Sequence, residues 1–205
     1  MNLNTLHPWH GIDIDLKEQS SSFSLNAIVE IIKNDTIKYE IDKKSGLLKI
    51  DRPQKYSNVC PSLYGFIPTT YCGDKVSSLA KSMSTSEIRQ GDLDPLDILI
   101  LSSYNITERN IILRARPIGG LLMIDKNEAD DKIIAVLEGD EMYSEVYDIA
   151  QISDTLINKL KHYFLTYKSM PEENVIVSID AVYGAEHARK VIHESINDYS
   201  ELTKK

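Results

Sequence analysis

Three aspartates stand within six residues in Gly91-Asp92-Leu93-Asp94-Pro95-Leu96-Asp97, immediately before the apolar run Ile98-Leu99-Ile100-Leu101. Like charges about 4 Å apart repel by ~1 kcal/mol in water and by ~4 kcal/mol at an effective dielectric near 20. A turn of this kind at the mouth of a strand calls for a cation. Carboxylate oxygens alone are hard ligands and favour Mg²⁺, Mn²⁺ or Ca²⁺ over zinc or copper. If residues 92–94 are extended, Asp92 and Asp94 point the same way; Pro95 fixes φ and removes a backbone donor, and the bend can return Asp97 to the same cavity. An EF-hand loop is ruled out: counted from Asp92, positions five, six and twelve are Leu96, Asp97 and Ser103, where an acid, a glycine and a glutamate are required. A merely solvated acidic turn would not need a proline bend leading into an apolar strand.

A second acidic cluster, Asp125, Glu128, Asp130 and Asp131, closes with Lys132 before Ile133-Ile134-Ala135-Val136. Alone it reads as a polar hairpin loop. Two such clusters at the edges of buried strands can line one multi-metal site if a barrel brings the edges to one mouth. Lys38 and Glu40 alternate on a strand and so share a face. Glu30 lies in an apolar run, where an unpaired carboxylate is expensive. The planar fork of Arg52, in Asp51-Arg52-Pro53, suits bidentate contact with phosphate, and Tyr167-Lys168 ends a helix. Each of these is, singly, most often a surface charge or a core tyrosine; their value lies in the set. His7 and His10 have a spacing that could ligate metal, but Pro8 and Gly11 oppose a helix there, and a Trp9-anchored arm packed on the body or on a neighbouring subunit is the better reading.

The elements that would position these groups are mostly short strands. Leu25–Ile32, Ile37–Ile41, Leu47–Ile50, Ile98–Leu101, Ile111–Arg116, Leu121–Ile124, Ile133–Leu137 and Val175–Val182 carry the pattern, with Gly, Pro and Asn punctuation. This suggests a sandwich or a small closed barrel. Helical spacing of apolar residues predicts two main helices, 153–168 and 185–199, the first capped by Ser153 or Asp154. The serine-rich stretch 73–90 has little periodicity and reads as a flexible insertion. Residues 1–21 read as an N-terminal arm and 22–205 as a single domain. The whole is α+β, with no βαβ repeat and no dinucleotide glycine fingerprint.

At 205 residues, 42% hydrophobic and 26% charged, the chain suits one well-packed domain. A net charge of −8 without a basic tract argues against nucleic acid. No apolar run approaches the ~20 residues of a membrane span, and the first residues lack a secretory pattern. Cys60 and Cys72 are too few for a disulfide framework and read as reduced and partly buried. A cytoplasmic protein is expected. An acidic chain can still hold a small polyanion if metal ions supply positive charge.

The acidic turn resembles the signature of the family I soluble inorganic pyrophosphatases: acid, small residue, acid, Pro, apolar residue, acid. The resemblance runs from about Leu25 to the C-terminal helix, through Ile37-Lys38-Tyr39-Glu40-Ile41-Asp42, residues 46–52, Tyr64-Gly65-Phe66-Ile67-Pro68, Arg114-Ala115-Arg116-Pro117-Ile118-Gly119, Glu128-Ala129-Asp130-Asp131-Lys132 and residues 162–168. It implies a distorted five-stranded OB-like β-barrel with additional strands and helices, hydrolysing pyrophosphate with Mg²⁺, or Mn²⁺ as substitute. Carried over by position, Asp92, Asp97 and Asp130 would ligate the first ion, with Asp97 reaching a second. Asp125 and Asp130 would hold a third, and Glu30 a fourth that arrives with substrate. Asp94 would deprotonate the attacking water. Lys38, Arg52, Lys132, Tyr167 and Lys168 would grip the phosphoryl groups, with Tyr64 and Glu40 close by. The resemblance also implies a homo-oligomer, a hexamer on the bacterial pattern. Three departures stand out: Leu93 in a slot usually small or polar, Cys60 where the family has a second tyrosine, and the lengthened 73–90 segment. Two other readings carry different expectations: a metal-dependent hydrolase of a larger phosphoanhydride, and a non-catalytic metal- or phosphate-binding OB-like module.

Overall fold

Near-continuous β-branched and leucine runs such as Ile98–Leu101 belong to strands covered on both faces. The computed structural model, which describes residues 7–19, 22–168 and 177–204, bears this out. The strands are β1 (Lys17–Gln19), β2 (Ser22–Ile31), β3 (Ile37–Ile41), β4 (Leu48–Pro53), β5 (Leu63–Phe66), β6 (Gln90–Gly91), β7 (Asp97–Leu101), β8 (Ile112–Asp125), β9 (Glu128–Ala129), β10 (Lys132–Leu137) and β11 (Val177–Gly184). The helices are α1 (Asp74–Met83), α2 (Asp154–Thr166) and α3 (Ala185–Leu202).

Strands β2, β5, β7, β10 and β8 pair in that order, and β8 returns to β2, which closes a five-stranded barrel. Every pairing around it is antiparallel except β7 with β10. Alternate residues divide between two apolar clusters. Ile98 and Ile100 join a cluster that includes Val76 of α1 and Val191 of α3. Leu99 and Leu101 join one that includes Leu160 and Phe164 of α2. The hairpin β3–β4 forms its own two-stranded sheet beside the barrel.

The fold departs from the sequence reading in three places. The segments 111–116 and 121–124 are parts of one strand, β8. The punctuation that divides them in sequence serves contacts instead: a Cβ on Gly119 would lie 2.4 Å from the Tyr183 carbonyl oxygen, and one on Gly120 would lie 2.5 Å from the Tyr183 ring. The register of β10 with β8 shifts between Ile134 and Ala135, where Ile118 of β8, next to Pro117, is passed over in the pairing. Second, the stretch read as a flexible insertion contains helix α1, with Val76, Ser77 and Ala80 buried. Its first turn is capped from a distance: the buried Asp198 carboxylate on α3 accepts from the backbone N–H groups of Gly73 (2.9 Å), Lys75 (3.1 Å) and Val76 (3.1 Å). Third, the described residues therefore form three α-helices where the sequence pattern gives two main ones.

Within the arm, Trp9 is buried among Ile28, Ile41 and Phe66, and its Nε1–H donates to the Thr70 carbonyl (2.8 Å). Val175 and Ile176, the start of the strand expected over Val175–Val182, fall outside the described residues, as do residues 1–6, 20 and 21 of the arm.

Candidate active site

The acidic turn leaves β6 and enters β7 over residues 92–96. Its shape is set by Leu93, whose φ of +63° lies in the left-handed region. Glycine or asparagine occupies that region with least strain, and a larger residue there costs ~1–2 kcal/mol. This is the physical reason a small or polar residue is the easier choice at that slot; Leu93 adopts the conformation with its side chain partly exposed. The Asp94 N–H donates to Asp92 Oδ1 (3.1 Å), and the backbone of Cys72 clamps the turn from behind. Cys72 N–H donates to the Asp94 carbonyl (2.9 Å), and Leu93 N–H to the Cys72 carbonyl (3.1 Å).

Parallel register then does what local sequence cannot. It sets Lys132, first residue of β10, directly opposite Asp97, first residue of β7. The Lys132 ammonium contacts both Asp97 and Asp130 and is almost fully buried. Oxygens of Asp92, Asp97 and Asp130 all lie within 4.8 Å of one another. Burial, followed by the adjacent Asp130 charge, drives the Asp92 carboxyl well above the usual carboxylate range. Burial acts the same way on Asp130, but the Lys132 ammonium and the Asp92 hydrogen bond prevail and hold it low. Two carboxylates in one dry site cannot both ionise without added positive charge.

The triad opens into a cleft of about 540 Å³, lined on one side by the barrel mouth and on the other by the β3–β4 hairpin. The barrel side holds Glu30 (β2), Tyr64 (β5), Asp92, Asp94 and Asp97, Asp125 at the end of β8, Asp130 and Lys132. Tyr167 and Lys168 enter from the end of α2, and Lys38 and Glu40 from β3. Glu30 Oε1 accepts from the Ile41 N–H (2.7 Å), while burial raises its carboxyl to about 8. Lys38 sits between Glu40 (3.1 Å) and Asp51 (3.0 Å). Burial alone would lower its pKa, but these carboxylates raise it. Lys168 contacts Asp125, and Tyr167 and that carboxylate outweigh burial to raise its pKa. Arg52 is the one predicted residue outside the lining. It pairs with Asp51 and its guanidinium stacks 5.4 Å from the Tyr167 ring, one residue behind the wall.

The cleft also includes Glu128 of the second acidic cluster, and Asp42, Lys43, Lys44 and Lys49, which sequence reasoning left out of the site. In sequence, Asp42-Lys43-Lys44 looks like an ordinary solvated turn. Only the placement of the hairpin over the barrel mouth turns it inward. The histidines of the arm are engaged elsewhere: His10 Nδ1 lies 2.8 Å from the Tyr199 hydroxyl, and His7 Nδ1 accepts from the Trp9 N–H (3.2 Å). Cys60 is buried and its thiol, pushed up by burial to about 12, is not a thiolate at neutral pH. Both cysteines are free.

A closed barrel whose mouth gathers hard-oxygen donors against a wall of lysines defines a class of protein whose site is suited in chemistry to a small polyanion and divalent cations. Comparison with known proteins makes this specific. A family model described as inorganic pyrophosphatase matches residues 27–200. The chain is 48% identical over 203 residues to an inorganic pyrophosphatase of Chlamydia caviae, covering 97% of this chain and 93% of that one. It is 46% identical over 205 residues to that of Chlamydia trachomatis serovar L2, covering 98% and 97%. The solved inorganic pyrophosphatase of Helicobacter pylori superposes with a TM-score of 0.72 at 32% identity, covering 92% of this chain and 99% of that one. The chain belongs to the inorganic pyrophosphatase family.

Proposed function

We propose that this chain hydrolyses inorganic pyrophosphate to two orthophosphates with Mg²⁺, and that Asp92, Asp97 and Asp130 form the tightest metal site. The observation that carries this reading is the convergence of those three carboxylates within 4.8 Å, with one lysine as their internal counter-charge. The donor set fits the metal: it is all oxygen, and its three carboxylates crowd within 4.8 Å of one another around a single lysine. Asp125 and Glu30 supply further oxygens on the same cleft, and Mn²⁺ can substitute. When bound, the ions balance charge and acidify water.

The chain's own residues do the rest. Asp94 projects into the cleft beside the triad and is the base that accepts the proton of the attacking water. Lys38, Lys132 and Lys168 line the cleft with full positive charge and orient the phosphoryl groups, and Arg52, outside the lining and behind Tyr167, adds positive charge to the same wall. Tyr64 and Tyr167 offer hydroxyls, and Glu40 holds Lys38. Attack is by water without a covalent enzyme intermediate, as no cysteine or serine among the described residues lines the cleft.

We further propose a cytoplasmic homo-oligomer, hexameric on the bacterial pattern, that uses neither nucleic acid nor membrane. Among the described residues no helix is long and apolar enough to cross a membrane. The test is phosphate release from pyrophosphate by the purified protein, with Mg²⁺ and with EDTA, beside ATP as competitor. Rapid Mg²⁺-dependent release from pyrophosphate is expected. Faster release from ATP would favour the hydrolase of larger anhydrides, and binding without release the non-catalytic module.

A further inference from the structure

We propose that Lys43 is an additional substrate-binding residue, which rests on Asp94 until a phosphoryl oxygen displaces it. The inference depends on the cleft being a pyrophosphate site. Lys43 lies in the turn between β3 and β4. Its ammonium pairs with the Asp94 carboxylate and lies 3.4 Å from the Leu93 carbonyl oxygen. One side chain thus spans from the hairpin to the acidic turn across the cleft that both line.

The lysines of the cleft differ in how tightly they are held. Side-chain exposure is 2% for Lys132 and 19% for Lys38, but 52% for Lys43, whose partner Asp94 is 47% exposed. A solvated ion pair is cheap to break, and a phosphoryl group with more negative charge than one carboxylate competes for the ammonium.

The backbone that carries Lys43 is fixed while its stem is not. Asp42 Oδ1 accepts from both the N–H and the hydroxyl of Ser45 (2.8 Å each), and Gly46 N–H donates to the Asp42 carbonyl (2.7 Å). From the arm, His7 Nε2–H donates to the Lys43 carbonyl (3.2 Å). Gly46, at φ +73°, leaves room for Pro8, which would stand 2.8 Å from a Cβ there. The exchange is therefore a swing of a flexible four-carbon side chain, not a movement of the loop. It frees the Asp94 carboxylate for the water proton as it places the ammonium on the substrate.

A contact made to substrate and transition state alike changes KM and leaves kcat near its wild-type value. In Lys43→Ala and Lys43→Gln, KM for magnesium pyrophosphate rises about 3- to 10-fold, between the worth of an exposed ion pair and that of a charge-assisted hydrogen bond. Lys43→Arg restores most of the loss. The affinity for imidodiphosphate, a non-hydrolysable analogue, measured by calorimetry with Mg²⁺, weakens by the same factor in the alanine and glutamine variants. Thermal melting stays at the wild-type value in all three. Unchanged KM and analogue affinity in both neutral variants overturns the inference, and so does a fall in KM, which would make Lys43 only a competitor at Asp94. Wild-type turnover of pyrophosphate, measured in the same series, separates this outcome from failure of the functional reading itself.

Discussion

Replacing Lys132 by methionine keeps an unbranched apolar side chain and removes one charge from the centre of the site. The ammonium is 2% exposed and touches two carboxylates, with the oxygens of a third within 4.8 Å of theirs. At an effective dielectric near 20, each such attraction at about 4 Å is worth ~4 kcal/mol, and the repulsion between the aspartates left behind is of the same size. Desolvation of the lysine cancels much of that, so breaking the buried cluster costs about 3–5 kcal/mol net. In a domain of this length each 1 kcal/mol moves the melting temperature by about 2–4 °C. Lys132→Met in EDTA is therefore expected to melt ~6–20 °C below wild type. On the proposed metal site, Mg²⁺ would supply the missing positive charge to the folded state alone and so stabilise it by mass action. Because the variant's site is more negative, its gain from Mg²⁺ exceeds that of the wild type. Urea unfolding at one protein concentration, with EDTA and with Mg²⁺, measures both, and buried Trp9, the single tryptophan, reports the transition by fluorescence. Equal stability in EDTA, or equal Mg²⁺ increments in the two proteins, would refute the view that Lys132 stands in as counter-charge for the metal.

Asp97→Asn removes a ligand of the proposed tight site, so pyrophosphate turnover falls by at least about 100-fold while far-UV circular dichroism is unchanged; surviving turnover would show the site to be misassigned. Glu30 holds its proton in the folded state up to about 8, against 4.5 ordinarily, because of burial. The unfolded chain releases that proton first, so the wild type loses stability as pH rises through that window, by at most about 1.4 kcal/mol per unit, and no further above it. Glu30→Gln keeps the acceptor for the Ile41 N–H and lacks that slope. In EDTA its urea midpoint should gain on wild type between about pH 5 and pH 8, and a constant difference would contradict the assignment. Asp198→Ala leaves three backbone donors at the start of α1 without their acceptor. A loss of about 2–4 kcal/mol is expected, with faster amide exchange concentrated in residues 73–83; exchange unchanged there would mean that α1 docks by other means.

What was legible in the sequence was local. Three aspartates around a proline announce a cation wherever the chain folds, and the strand runs 98–101 and 133–137 carry their own apolar signal. The helix α1 was not legible, because its cap comes from Asp198, more than a hundred residues away in the chain. The unity of β8 was hidden for a related reason: Gly119 and Gly120 look like a turn, yet their missing side chains make space for Tyr183. Lys43 was invisible as a site residue because a charged hairpin turn is usually solvated, and only the docking of β3 against β2, pinned by Glu30 and Ile41, aims it at the cleft. The left-handed backbone at position 93 explains why a small or polar residue is the easier choice there, and nothing in the structure explains the leucine.

The barrel and the site rest on the same register. In the parallel pairing of β7 with β10, Lys132 faces Asp97 and Ile133 faces Ile98. Strand side chains alternate, so a slip of β10 by one residue would turn every side chain to the opposite face. Ile133 and Ala135 would leave the cluster they share with Ile98 and Ile100, and the same slip would carry the Lys132 ammonium away from Asp97 and Asp130. Because Ile134 and Val136 on the opposite face are buried as well, apolar packing opposes such a slip only through the mismatch in side-chain size. Conversely, the buried charges oppose any register in which the apolar layers would otherwise be tolerable. The repulsion among the aspartates, a liability in an isolated turn, becomes a determinant of which strand edge may close the barrel.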